Sequence, residues 1–112
     1  EPGVNRVAWE YVGCSYLLAK EMEKFKTFLS RAGTFVQGRS LPIHFQEAAL
    51  VLAVEDLSVL DRVAVRSEIV QRYKQFQKDI LKLKNSSDGL SWLYQQYGDT
   101  FWFYYYCKKL NG

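Results

Sequence analysis

Apolar residues recur along this chain at helical spacing, and strand-like alternation is nearly absent. From Val4 onward, Val7, Tyr11, Cys14 and Leu18 step by four, three and four, which lays one apolar stripe along a helix. Trp9, Val12 and Tyr16 mark a second face. A helix that is apolar on two sides has to be covered by two neighbours, so this segment is expected to be sandwiched. A new stripe at Met22, Phe25, Leu29 and Ala32 ends at Gly33, a residue suited to a left-handed helix cap. Two antiparallel helices are therefore expected at the start.

Gly38 and Ser40 make residues 34–40 a connecting loop, and Pro42 suits the first turn of a helix, where its missing N–H costs nothing. Residues 43–54 carry apolar side chains on nearly every face of their second half, so the most buried helix is expected there. Residues 57–66 read as a short helical turn and loop, since Val63-Ala64-Val65 would be a strand without a partner. Ser67 is the expected cap of a helix whose stripe runs Ile69, Tyr73, Phe76, Ile80, Leu83. The turn cluster at 85–89 puts a cap at Asp88 before a short stripe of Leu90, Leu93, Tyr94 and Tyr97. Gly98 then stops that helix, and Asp99 is the expected cap of a last one over 100–110. The sum is an all-α chain of about six helices, arranged as stacked antiparallel hairpins.

Composition narrows the class. The 112 residues suffice for one helical domain, and 48% apolar against 24% charged, with seven Gly and two Pro, excludes disordered and collagen-like chains. The net charge of +3 is spread along the chain, so no nucleic-acid partner is called for. Lys74, Lys78 and Lys82 recur every four residues, but Tyr73 and Phe76 belong to the buried stripe and Asp79 interrupts the charge; a solvated face is expected. The longest apolar runs, 48–54 and 101–107, have seven residues each, against the ~20 that span a bilayer. No membrane insertion of this stretch is expected. A start at Glu1-Pro2-Gly3 without Met is expected of a piece of a longer chain.

One motif stands out. Trp9-x-x-Val12-Gly13-x-x-Tyr16 resembles the opening W-x2-L-G-x2-Y of the tetratricopeptide repeat. Gly13 would let the second helix approach closely, Trp9 and Tyr16 would fill the space above and below it, and Ala32 falls where that helix wants a small residue. Phe25, Leu29 and Gln37 depart from the pattern, and only about a third of the chain carries it. A second resemblance covers more of the sequence. Leu17-Leu18-Ala19-Lys20-Glu21, the run from Leu41 to Ala48, and Tyr97-Gly98-Asp99-Thr100-Phe101-Trp102-Phe103-Tyr104-Tyr105 are similar to the helical, tetratricopeptide-like tails of uncharacterised bacterial multi-pass membrane proteins. That resemblance implies a membrane-anchored parent chain, a membrane-associated location with this region extracytoplasmic, and no particular reaction.

Candidate chemistry is sparse. His44 is the only histidine, and Glu47 shares its helix face, so an inter-hairpin pocket using the two for proton transfer is the enzymatic alternative. No zinc motif is present and no cofactor or metal is called for. Cys14 and Cys107 fall on apolar faces of helices that a serial stack would keep apart, so free thiols are expected. Over residues 101–110, Phe103, Tyr106, Cys107 and Leu110 should meet the preceding helix, while Phe101, Trp102 and Tyr105 point the other way beside Lys108 and Lys109, where another hairpin of the same fold, a continuation of the chain or a partner has to cover them. The leading expectation is a non-enzymatic module that binds a protein or peptide, with Trp102 and Tyr105 as aromatic anchors and Glu10 and His44 as polar contacts.

Overall fold

The computed structural model describes residues 2–31 and 41–107, with side chains from residue 6. Six α-helices account for most of them: α1 Pro2–Leu18, α2 Met22–Ser30, α3 Ile43–Ala53, α4 Ser67–Leu83, α5 Ser87–Tyr97 and α6 Phe101–Cys107, with one 3-10 turn at Leu57–Asp61. No strand occurs among the described residues, and the fold is all-α. The expectations for Ala32, Gly33, the loop at 34–40 including Gln37, and Lys108, Lys109 and Leu110 lie outside the described residues. The chain divides into two compact units, Glu1–Ala64 and Val65–Gly112.

In the first unit, α1, α2 and α3 pack together and the 3-10 turn packs on α3. Gly13 is the point of closest approach: a Cβ there would run into the rings of Phe45 and Phe28. Trp9 stacks on Phe28 with centroids 4.7 Å apart, and Tyr16 meets the same ring edge-on at 6.0 Å. Phe25 and Phe45, both fully buried, complete the cluster at 5.3 Å. Burying each such ring stabilises by roughly 1.5–3 kcal/mol. Helix α3 is buried from Phe45 to Ala53 without a break, as its all-round apolar sequence predicts. Its one buried amide, Gln46, donates to the Leu41 carbonyl at 2.9 Å. Asp56 accepts from the Ser58 backbone N–H at 3.1 Å and so caps the 3-10 turn, while its other oxygen lies 2.7 Å from Lys26 Nζ on α2.

Helix α1 ends in a closed turn in which the Glu21 N–H reaches the Tyr16 carbonyl at 2.9 Å and the Lys20 N–H reaches the Leu17 carbonyl at 3.1 Å. This double bond pattern needs a left-handed residue at its apex, and Lys20 holds it with φ 57°.

In the second unit, α4 packs on α5 and α5 on α6. Phe76 of α4 meets Tyr97 edge-on at 5.2 Å, and the Tyr97 hydroxyl donates to Asp79 at 2.7 Å. Arg72 donates to both carboxylate oxygens of Asp99 and to the Gln96 carbonyl, and its guanidinium lies 5.7 Å from the Tyr97 ring centre. Three helix starts differ from expectation. Ser67 is the first residue of α4, after Arg66 in extended conformation. At α5 the Ser86 hydroxyl takes the Gly89 N–H at 2.9 Å, which leaves Asp88 inside the first turn, where its charge favours the helix dipole. At α6 the Thr100 hydroxyl accepts from the Phe103 N–H at 3.1 Å, and Asp99 is drawn to Arg72 instead.

Candidate functional site

Only one side of α1 is used by its own unit. Gly13 and Leu17 are buried and Trp9 and Tyr16 half-buried, all turned toward α2 and α3, yet Val7, Tyr11 and Leu18 are 72%, 76% and 69% exposed. The expected sandwich is therefore half made: the stripe whose period suits a core is largely exposed. Cys14 lies on the same open stripe. Alongside it Ala8, Val12, Ser15 and Ala19 are exposed too, and the Ser15 hydroxyl turns back onto the Val12 carbonyl at 2.6 Å. From Val7 to Ala19, every exposed residue is uncharged. The contrast lies in the same chain. On α4 the exposed positions are Ser, Glu, Gln and Lys with Leu81 as the single apolar residue, and the shallow depression among Gln71, Lys74, Gln75, Gln77, Lys78 and Leu81 is an ordinary solvated face. A solvent-facing helix normally looks like α4, and the α1 face departs from that pattern.

The polar candidates sit beside partners of their own. Glu10 pairs with Arg6 one turn earlier at 2.8 Å, and Arg6 also covers the Trp9 ring at 5.4 Å. His44 is exposed at the start of α3, and its Nδ1 lies 2.7 Å from Oε1 of Glu47, whose carboxylate is buried. The structure thus brings His44 and Glu47 together as their i, i+3 spacing requires. Among the described residues no group of three or more His, Cys, Asp or Glu could hold a metal ion.

The aromatic candidates part company. Trp102 is fully buried and sits 5.0 Å from the Tyr73 ring and 6.2 Å from that of Phe76, both on α4. It cannot serve as a surface anchor. The reason is that α6 has neighbours on both sides: Phe103 meets Tyr94 of α5 at 5.7 Å while Trp102 and Tyr106 meet α4. Trp102 Nε1 is buried and has no hydrogen-bond partner among the described residues. Tyr105 is half-buried between Phe101 at 5.8 Å and Tyr106 at 4.9 Å. The Tyr106 hydroxyl lies 3.3 Å from that of Tyr73, whose ionisation is driven upward by burial and then by that contact. Both cysteines are free; burial pushes the Cys107 thiol up, which removes the thiolate character a nucleophile needs.

The residues that sequence reasoning missed as surface are Val7, Tyr11 and Leu18. Their spacing shows that they share a face, and only the positions of α2 and α3 show which face is left over.

A model of one protein family matches residues 3–108. The chain belongs to that family, DUF6057, a family of unknown function. No curated protein and no solved structure matches it. No helix among the described residues is long and apolar enough to cross a membrane.

Proposed function

We propose that this DUF6057 chain is a non-enzymatic helical interaction module, the soluble portion of a membrane-tethered parent, which docks protein through the outer face of α1. The observation that carries this reading is the uncharged, exposed stripe of Val7, Tyr11 and Leu18. Exposed apolar surface of that extent on a helix marks a contact face, with Tyr11 as the aromatic anchor in place of the buried Trp102. Glu10, held by Arg6, and His44 are the further contacts in the same unit, and Tyr105 of the second unit is a separate contact. The packing of Trp9, Gly13 and Tyr16 around Phe28 supports a tetratricopeptide-like first hairpin. The membrane-tethered parent is supported by the sequence similarity of residues 41–48 and 97–105 to such tails.

The test is a pull-down with the intact parent chain, compared with a Tyr11→Glu/Leu18→Glu double variant. Both side chains are exposed, so the variant keeps its fold, and a circular dichroism spectrum and melting curve check that directly. Loss of recovered partners supports docking on α1; equal recovery of every partner overturns it.

A further inference from the structure

The exposed stripe of α1 is self-complementary. Val7, Tyr11, Cys14 and Leu18 step by four, three and four, the alternation of a two-helix seam, and this order is unchanged when the helix is read backwards. When two copies of α1 lie antiparallel about a two-fold axis, Val7 meets Leu18 and Tyr11 meets Cys14. Large then faces small at the centre, and every residue of the seam lands on another residue of the seam. That is the condition for an isologous contact, in which one patch serves both partners. A parallel pair would instead set Tyr11 against Tyr11 and leave Cys14 facing Cys14, a bulge beside a gap.

Area and charge agree with this arrangement. The exposed fractions of the four seam residues Val7, Tyr11, Cys14 and Leu18 amount to on the order of 450 Å² per copy, below the ~800 Å² a side of a standard interface and of the size of a weak, concentration-dependent contact. Each copy carries a net +3, but none of that charge lies on the stripe, so like charges are not pressed together. A lipid surface is the poorer occupant, because helices that lie in a membrane interface flank their apolar face with Lys and Arg, whereas the Arg6 charge is already held by Glu10.

We infer that the partner seated on α1 is a second copy of this chain, with the two α1 helices packed antiparallel. This rests on the reading of α1 as a docking face. Sedimentation equilibrium of the purified 112-residue chain tests it, from low micromolar to millimolar concentration. The expected result is a concentration-dependent dimer of twice 13.1 kDa. Tyr11→Glu should raise its dissociation constant by about a hundredfold or more, through an uncompensated charge at the seam, with the helical spectrum unchanged. Orientation is read by oxidative cross-linking in a Cys14→Ser background. A Val7→Cys/Leu18→Cys pair should give covalent dimers, and Val7→Cys alone should not. A chain monomeric at millimolar concentration, a dimer indifferent to Tyr11→Glu, or efficient cross-linking by Val7→Cys alone overturns the inference. A monomer that still captures a different protein through Tyr11 overturns the self-association and leaves the docking face standing, so the two failures are distinct.

Discussion

The ring of Phe28 occupies the space where a side chain on Gly13 would stand: a Cβ there would come within 2.7 Å of the ring edge, with Trp9 stacked on the same ring. Two opposing effects follow for Gly13→Ala. Alanine favours the helix by roughly 0.5–1 kcal/mol, while overpacking a filled site costs roughly 1–3 kcal/mol. Phe45 is also in the way and fully buried, so neither ring can swing into solvent without cost, and overpacking wins. The expected outcome is a net loss of about 1–2 kcal/mol in urea unfolding, larger for Gly13→Val and partly recovered when Phe28→Leu is added. An alanine variant as stable as the parent chain would show that the approach of α2 and α3 to α1 is looser than described.

Lys20 offers a change of the opposite sign. A non-glycine residue in the left-handed region costs roughly 1–2 kcal/mol from the clash of its Cβ with the backbone, and glycine relieves that while adding freedom to the unfolded chain. Lys20→Gly should therefore stabilise the chain by about 0.5–1 kcal/mol, seen as a higher melting temperature, whereas Lys20→Val should lower it. No gain with glycine would mean that other contacts of the lysine side chain outweigh the backbone strain.

The same two positions show what the sequence carried. Gly13, with Trp9 and Tyr16 at the right spacing, was legible as a close approach because a missing side chain inside an apolar helix has few other uses. Lys20 was not, since nothing in its chemistry announces a left-handed turn. The helices themselves were legible from period alone, and α3 stood out by having no polar face. Caps shifted by one or two residues because Ser86 and Asp88, or Asp99 and Thr100, are chemically equivalent cap residues until the helix start is placed. Which faces are exposed was less legible, for a different reason. A stripe tells which residues move together, but whether it meets another helix depends on contacts distant in sequence. Period alone places Trp102 on the face away from α5 without naming α4 as its cover, and places Tyr11 on a core stripe although its side chain is 76% exposed.

Trp102 separates size from hydrogen bonding. Its ring is fully buried against Tyr73 and Phe76 and its Nε1 has no partner among the described residues, so the site rewards the aromatic surface and penalises the N–H. Trp102→Ala should cost about 3–5 kcal/mol from lost burial and the cavity left behind. Trp102→Phe keeps most of the surface and removes the unpaired donor, so it should cost about 1–2 kcal/mol at most. Chemical denaturation of both variants checks the ranking. Equal losses would mean that the indole nitrogen holds a bond, to water for instance, that the phenyl ring cannot replace.

Stability should fall at both ends of the pH scale for identifiable reasons. Asp56 is held down at about 2, first by its hydrogen bond with Lys26 and then by those with Ser58, against an ordinary 3.8. Its contribution is complete above pH 3.8 and is lost as pH falls toward 2. Tyr97 is pushed up to about 12 by burial and then by its bond to Asp79, against an ordinary 10. The neutral phenol is the form the fold prefers, so its contribution is complete below pH 10 and is lost as pH rises through 12. Asp56→Asn retains a side chain able to cap the 3-10 turn; it should flatten the acid flank and, because it removes the partner that raises Lys26, the Lys26 part of the alkaline flank as well. Tyr97→Phe should flatten part of the alkaline flank, the rest arising from Tyr73, whose ionisation is raised further, and from Lys24 and Lys26, both raised by their carboxylate partners. Urea unfolding of the two variants at pH 2 to 5 and 9 to 12 reads each flank. An Asp56→Asn profile that still falls between pH 4 and 2 as steeply as that of the parent chain would place the acid-sensitive group elsewhere.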